Sequence, residues 1–393
     1  MTIKVCENKT KTMKENNTKA FLELVRAGLW EDSNLNDNLN LNDKVDWEEV
    51  MRLAKDQSVV GLVTAGLEKM EDGRGKMEEG RSGIPKDIVL AFVGNTLQIE
   101  RRNTLMNSFV AELIGILRSE NIFGLLVKGQ GIAQCYERPL WRSAGDIDLL
   151  LSARHYEKAK TVLTAVADEV SAEDEAKKHQ ALRMKGFDIE LHGKMPFLLS
   201  RRVDRVIDDV QKDCLMLGGV RSWRIHDTDI FLPNVDNDVI LVFTHFLHHF
   251  FIEGVGLRQI CDWCRLLWTY RDKLDVQLLE HRIHRMGLES EWKAFAALAV
   301  NTLGMPKEAM PLYDGSKKDD EKWKRKGDLV LNRIMKCGNF GHNNDLSYRV
   351  KYTGITYKLV SLWRRLCEFI GMARIFPLDA PRFFVTYVFG KVE

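Results

Sequence analysis

The spacing of apolar positions along the chain changes period twice. Residues 20–118 follow a helical period, opened by FLELVRAGL. Trp47, Val50, Leu53 and Ala54 fall on one face of a helical stretch over 46–70, and Leu105, Phe109, Leu113 and Leu117 recur every fourth position in a stretch over 87–118. The polar segment 32–44 and the Gly/Glu/Lys-rich segment 71–84 read as loops. After Asn121 the pattern shortens. FGLLV (123–127) is a continuous apolar run typical of a buried strand. Lys128-Gly129-Gln130-Gly131 breaks it, and a short helix to Tyr136 follows. DIDLLL (146–151) predicts a second strand, FDIELH (187–192) alternates as a third, and RSWRIH (221–226) is a candidate fourth. Ser152 is placed to cap a helix over 153–168. The helical period returns over 236–251, 257–270, 275–286 and 290–303, and the mixed-charge KKDDEKWKRK (317–326) reads as a solvated loop or helix end. The pattern predicts an α+β fold. A small mixed sheet core (119–232) would lie between an N-terminal helical region (20–118) and a C-terminal one (233–393), with the lysine-rich residues 1–19 disordered.

Composition narrows this little. Hydrophobic residues make up 45% and charged residues 29%, enough for a real core, and a formal net charge of +2 creates no global field toward nucleic acid or membrane. Seven scattered cysteines do not resemble a disulfide framework and suggest a reduced, cytoplasmic setting. The first twenty residues contain no apolar leader segment, and VILVFTHFLHHFFI (239–252), the most apolar run, is too short for a membrane span and carries three histidines. Residues 351–393 hold a basic surplus interleaved with aromatics (Trp363, Phe369, Phe376, Phe383, Phe384, Tyr387, Phe389), which could contact nucleic acid, a membrane surface or a partner. A helical cap that packs its aromatics inward is the plainer expectation.

The chemistry centres on Asp146 and Asp148. Residues i and i+2 of a strand share a face, so both carboxylates would project together while Ile147 and Leu149 point into the core. Like charges that close repel unless a cation lies between them, and hard cations such as Mg²⁺ prefer carboxylate oxygen. On the third strand Asp188, Glu190 and His192 share the polar face, so a third acid can join if the strands are neighbours. Spacing alone leaves Asp188 and Glu190 both open.

The order of strand, Gly-turn, short helix, GDIDLL and acid-bearing strand resembles the nucleotidyltransferase superfamily of the DNA polymerase beta type. More closely, LVKGQGIA (126–133), Tyr136, RSAGDIDLL (142–150) and IELH (189–192) look like a bacterial family of uncharacterised nucleotidyltransferases. GLRQICDWCRLL (256–267) is similar to that family's Leu-Arg-x-x-x-Asp helix, and DWEEVMRLAKDQSVVGLV (46–63) to its N-terminal helix. The resemblance implies a two-metal phosphoryl transfer with Mg²⁺ or Mn²⁺ held by Asp146, Asp148 and Glu190. It implies an NTP, ATP in the first instance, held by Lys128, Gly129, Gln130 and Arg142, and an acceptor it does not identify. His192, Arg258 and Asp262 would face the cleft. The wider superfamily has Gly-Ser after the first strand, whereas Gln130 follows Gly129 here. Lys128 could supply the phosphate contact instead.

Other readings compete residue by residue. Arg142 could bind phosphate or pair with Asp146, His192 could orient a ligand or sit in the core, and Arg258 and Asp262 could simply form an i, i+4 pair. His245 and His249 have a zinc-chelating spacing, but the sequence between them lacks the HExxH glutamate, so a packed helix is expected. Cys261 and Cys264 fall within one helical period and read as structural. Two functional rivals stand beside the transferase: a nucleotide- or partner-binding protein on a degenerate core, and a toxin-like nucleotidyltransferase acting on tRNA or protein.

Overall fold

The change of period after Asn121 marks a five-stranded mixed sheet. In the computed structural model, which describes residues 2–31, 45–73, 84–195, 199–314, 317–344, 351 and 354–389, its strands are β1 (Gly124–Val127), β2 (Ile147–Leu151), β3 (Glu169–Val170), β4 (His179–Met184) and β5 (Phe187–His192). They lie in the order β1-β2-β5-β4-β3, with β2 antiparallel to β1 and parallel to β5. β4 escapes the sequence pattern because a polar residue, Gln180, shares its buried side with Leu182 and Met184. Lys185 and Gly186 join β4 to β5 with φ of 51° and 78°, the two positive angles a tight hairpin turn requires. The strand expected at 221–226 is β6 (Val220–Ile225), paired with β7 (Thr228–Pro233) in a separate two-stranded sheet.

Fourteen helices surround the sheets among the described residues: α1 (Thr2–Leu29), α2 (Trp47–Asp56), α3 (Val60–Gly73), α4 (Lys86–Ser119), α5 (Gly129–Ala133), α6 (Ala153–Thr164), α7 (Arg201–Lys212), α8 (Val235–Ile252), α9 (Leu257–Thr269), α10 (Val276–Met286), α11 (Glu289–Asn301), α12 (Lys317–Cys337), α13 (Gly354–Ala373) and α14 (Asp379–Phe389). Their starts follow local chemistry. Ser152 accepts from the His155 amide, Asp46 from those of Glu48 and Glu49, and Asn234 from that of Asn237. Three observations on helix extent refine the sequence reading. Residues expected to be disordered over 1–19 lie, from Thr2 on, in α1, a run without glycine or proline to end it. The charged segment 317–326 opens α12, which is the helix-end alternative of the sequence reading, with Trp323, Val330 and Ile334 buried along one side. The helix α7 was not anticipated, though Val203, Val206, Ile207 and Val210 are buried at helical spacing. The expected loops at 32–44 and 74–83 lie outside the described residues.

Two hydrophobic clusters place the sheet. One face (Leu126, Ile147, Leu149, Leu151, Ile189, Leu191) packs against α4 and α6, where Phe109, Leu113 and Leu117 are buried as expected and Leu105 is exposed. On the other face Leu125, Val127 and Leu150 join a larger cluster built jointly by the N-terminal and C-terminal helices. The two helical regions are also tied by polar contacts: Trp30 Nε1 donates to Leu303 O at 2.6 Å, and Arg265 Nη1 to Leu29 O at 2.9 Å. Gln57, in the turn between α2 and α3, accepts from the Leu257 amide at 2.9 Å and donates to Ile334 O at 3.3 Å. At the C-terminus Phe369, Phe376 and Phe383 pack inward while Trp363 stays exposed. No helix among the described residues is long and apolar enough to cross a membrane.

Two predictions follow from this packing. Ile189→Ala, on the fully buried side of β5, should cost about 2–5 kcal/mol in urea unfolding. Asp188→Asn, next along the strand but exposed and 3.3 Å from Arg183, should cost less than about 1 kcal/mol. A reversal of that order would contradict the assignment of strand faces. The second concerns Glu291 of α11, which is fully buried near Asp379. Burial, and then the charge of Asp379 at the start of α14, push its pKa well above the ordinary value. A carboxyl raised in the folded state stabilises most below its unfolded pKa and loses that contribution as pH rises through its folded pKa. Stability should therefore fall with rising pH above the ordinary glutamate range, and Glu291→Gln should flatten that fall; identical profiles in thermal unfolding would refute it.

Candidate active site

The site begins where β1 stops. Lys128 adopts φ 58° and ψ −144°, and Gly129 follows at φ 43°. A lysine in that left-handed region costs about 1–3 kcal/mol, so its surroundings must hold it there. They do so through its ammonium: Nζ lies 2.8 Å from Asp148 Oδ1 and 3.1 Å from His245 Nε2. The strained turn thus sends the lysine across β2 instead of out to solvent.

The acids come from two adjacent strands. Parallel pairing sets Asp148 directly opposite Glu190, and Asp146 precedes β2 on the same face. Carboxylate oxygens of Asp146, Asp148 and Glu190 lie within 4.8 Å of one another. The geometry selects Glu190 over Asp188, whose carboxylate is exposed and pairs with Arg183. His192 Nε2–H donates to Asp148 Oδ1 at 2.8 Å and lies 3.4 Å from Glu190 Oε2, so it supports the acids from beside them. His179, its partner across β4, lies 3.3 Å from the same Glu190 oxygen and was not foreseen.

The electrostatics follow from this crowding. Asp148 and then burial raise the Asp146 pKa, whereas Asp148 itself is held low because Lys128 and His192 outweigh its burial. Hydrogen bonds from His179 and His192 hold Glu190 well below the glutamate range. Burial opposes the charge on Lys128, but Asp148, Asp146 and Glu190 together raise its pKa. His245 is pushed far down by burial and then by Lys128, so it is a neutral ring whose Nε2 accepts from the ammonium. Three clustered oxygen-bearing side chains with excess negative charge suit a hard divalent cation such as Mg²⁺ or Mn²⁺.

Across a cavity of about 390 Å³ stands a second wall from α8 and α9, with His245, His249, Arg258, Gln259 and Asp262 facing Lys128, Gly129 and the acids. Arg142 also lines this cavity, but its guanidinium is committed. Nε and Nη2 each lie 2.7 Å from an oxygen of Asp262, and Tyr136 donates to the same carboxylate at 2.7 Å. This corrects two expectations: Arg142 pairs with Asp262 rather than with Asp146, and no ion pair joins Arg258 to Asp262 among the described residues. Arg258 donates through Nη1 to Ser143 O at 2.6 Å, while its buried Nε has no hydrogen-bond partner among the described residues. Burial and then repulsion from Arg142 lower its pKa. Gln130 does not line the cavity; its amide donates to Asn107 of α4 at 2.7 Å. A larger hollow of about 820 Å³, between α10, α11 and residues 307–314, contains none of the acids.

The profile of a family described as "Uncharacterised nucleotidyltransferase" matches residues 43–304, two thirds of the chain. The chain belongs to this nucleotidyltransferase family. No curated protein and no solved structure matches it. The matched span contains the strand pair, the Lys128 turn and both helices of the opposite wall. What sequence reasoning missed at the site is long-range: His245 meets Lys128 across 117 positions, and no local pattern marks it. His245 Nε2 and His249 Nε2 are 3.2 Å apart, and among the described residues they join no cluster of three metal-ligating side chains. Cys261 and Cys264 are fully buried in α9.

The Arg142–Asp262 pair predicts a large effect from removing one partner. Arg142→Ala should leave the buried Asp262 carboxylate uncompensated and cost about 3–5 kcal/mol in urea unfolding. The double substitution Arg142→Met/Asp262→Leu should recover most of that loss. Additive losses in the two single variants and the double would show that the pair does not hold the wall.

Proposed function

We propose that the chain transfers a nucleoside monophosphate from an NTP, ATP in the first instance, to an acceptor with Mg²⁺ or Mn²⁺, on a core of the DNA polymerase beta type. One observation carries the reading. Three carboxylates from neighbouring parallel strands converge beside a lysine held in a strained turn, on the wall of a closed-in cleft. In the reaction an acceptor oxygen attacks the α-phosphorus, the bond to the bridging oxygen breaks, and pyrophosphate leaves in line with the new bond. Asp146, Asp148 and Glu190 would hold the divalent ion, which when bound offsets charge on the reacting phosphate.

The remaining residues have separable tasks. Lys128 would meet the β- and γ-phosphates as a point charge, in place of the serine that the wider superfamily carries after its glycine. Gln130 cannot take that serine's part, since its amide is bound to Asn107. Arg258 is the better second phosphate ligand, because its buried Nε lacks a hydrogen-bond partner among the described residues while Nη1 is held by Ser143 O. Arg142 and Asp262 keep the wall in place. The basic surplus of residues 351–393 keeps nucleic acid among the acceptors to be screened.

Calorimetry with ATP and Mn²⁺ tests the reading. Asp146→Asn/Asp148→Asn should lose metal-dependent ATP binding by at least the roughly 10–100-fold that follows loss of a mere supporting residue at a metal site. Lys128→Ala and Arg258→Ala should each weaken ATP more than AMP. Equal, metal-independent ATP binding by wild type and the double variant would overturn the proposal. Metal-dependent binding with no pyrophosphate release across small-molecule, RNA and protein acceptors would instead favour a nucleotide-binding protein.

A further inference from the structure

We propose that Phe340 is the stacking platform for the base of the nucleotide held in this cleft, an assignment that rests on the nucleotidyltransferase reading. Phe340 lies between α12 and α13, outside the span that matches the family, so nothing in the family assignment bears on it. Three observations point to it.

The first is position. Phe340 lines the 390 Å³ cavity and also an adjoining hollow of about 620 Å³, and Gly145, Asp146 and Glu190 border both as well. The ring therefore stands where the two spaces meet, beside the acids. The second is exposure. At 45% exposed it is a large apolar side chain offered to a polar cleft, in contact with the His249 ring at 4.9 Å in a T-shaped arrangement. The third is backbone strain. Phe340 sits at φ 50° and ψ 31°, a left-handed conformation that an aromatic residue seldom adopts.

The loop that carries it is tied down from several directions. Asn339 donates to Ser58 Oγ at 2.8 Å and accepts from Gln259 Nε2 at 2.8 Å. Asn343 donates to Asp56 Oδ2 at 3.1 Å, and Asn344 to Glu253 O at 2.8 Å. Gly341, at φ 69°, lies so near the chain that a Cβ there would fall 2.2 Å from Glu253 O. The segment is thus anchored to the turn between α2 and α3 and to the turn between α8 and α9, which also positions Arg258 and Gln259. Strain kept at a half-exposed ring by this many contacts is the pattern of a ligand clamp rather than of a core residue.

A flat aromatic face at the mouth of a phosphate-binding cleft suits the planar base of a nucleotide. Stacking is available to every base and has no counterpart for the phosphates, which separates this role from those of Lys128 and Arg258. The test uses the full chain with Mn²⁺ and compares two probes, ATP and inorganic tripolyphosphate, by calorimetry. Phe340→Ala should weaken ATP about 5- to 150-fold and leave tripolyphosphate unchanged, which also reports that the variant is folded. Phe340→Trp should retain ATP affinity. Equal loss for both probes would make Phe340 a structural residue and overturn the assignment. ATP affinity unchanged in Phe340→Ala would overturn it while leaving the nucleotidyltransferase reading intact. Absence of Mn²⁺-dependent ATP binding in wild type would remove that reading and this assignment with it.

Discussion

The parallel pairing of β2 with β5 is the constraint on which the site depends. It puts Asp148 beside Glu190 and brings three carboxylates within 4.8 Å. Charges gathered that closely in a mostly buried setting need compensating partners, and the protein provides them from three directions. Lys128 arrives from the end of β1, His192 from two residues beyond Glu190, and His179 from the neighbouring hairpin strand. The strain at Lys128 is understandable in these terms, since a relaxed turn would carry the ammonium away from Asp148.

Placement of the second wall follows from how the helices pack. The N-terminal and C-terminal helices share one hydrophobic cluster, and residues from the sheet's inner face join it. α8 and α9 are therefore pressed toward the acids by segments far away in sequence. Buried polar contacts then set the detail. Asn103 of α4 donates to the carbonyls of Leu140 and Arg142, each at 2.7 Å, fixing the loop that enters β2. Arg142 reaches from that loop to Asp262, and Arg258 reaches back to Ser143. A buried pair such as Arg142–Asp262 adds little net stability, but it penalises any arrangement that separates the two walls.

The period of apolar residues, the cap at Ser152, the spacing of Asp146 and Asp148 and the alternation over 187–192 are local facts, and the sequence alone determined them. Each depends on the geometry of one helix turn or one strand. They were enough for the α+β class, for the three site strands and for the face on which the acids stand. They also placed Lys128 beside those acids, through resemblance of the surrounding motif. Partner choice was another matter. Which of Asp188 and Glu190 stands opposite Asp148 depends on inter-strand register, and a shift of two residues would exchange them. Whether Arg142 serves Asp146, a phosphate or Asp262 depends on how α9 packs, and Phe340 reaches the cleft only because four asparagine and glutamine side chains tie its loop to distant turns. Such contacts join residues that no local period relates, so only the tertiary structure decided them.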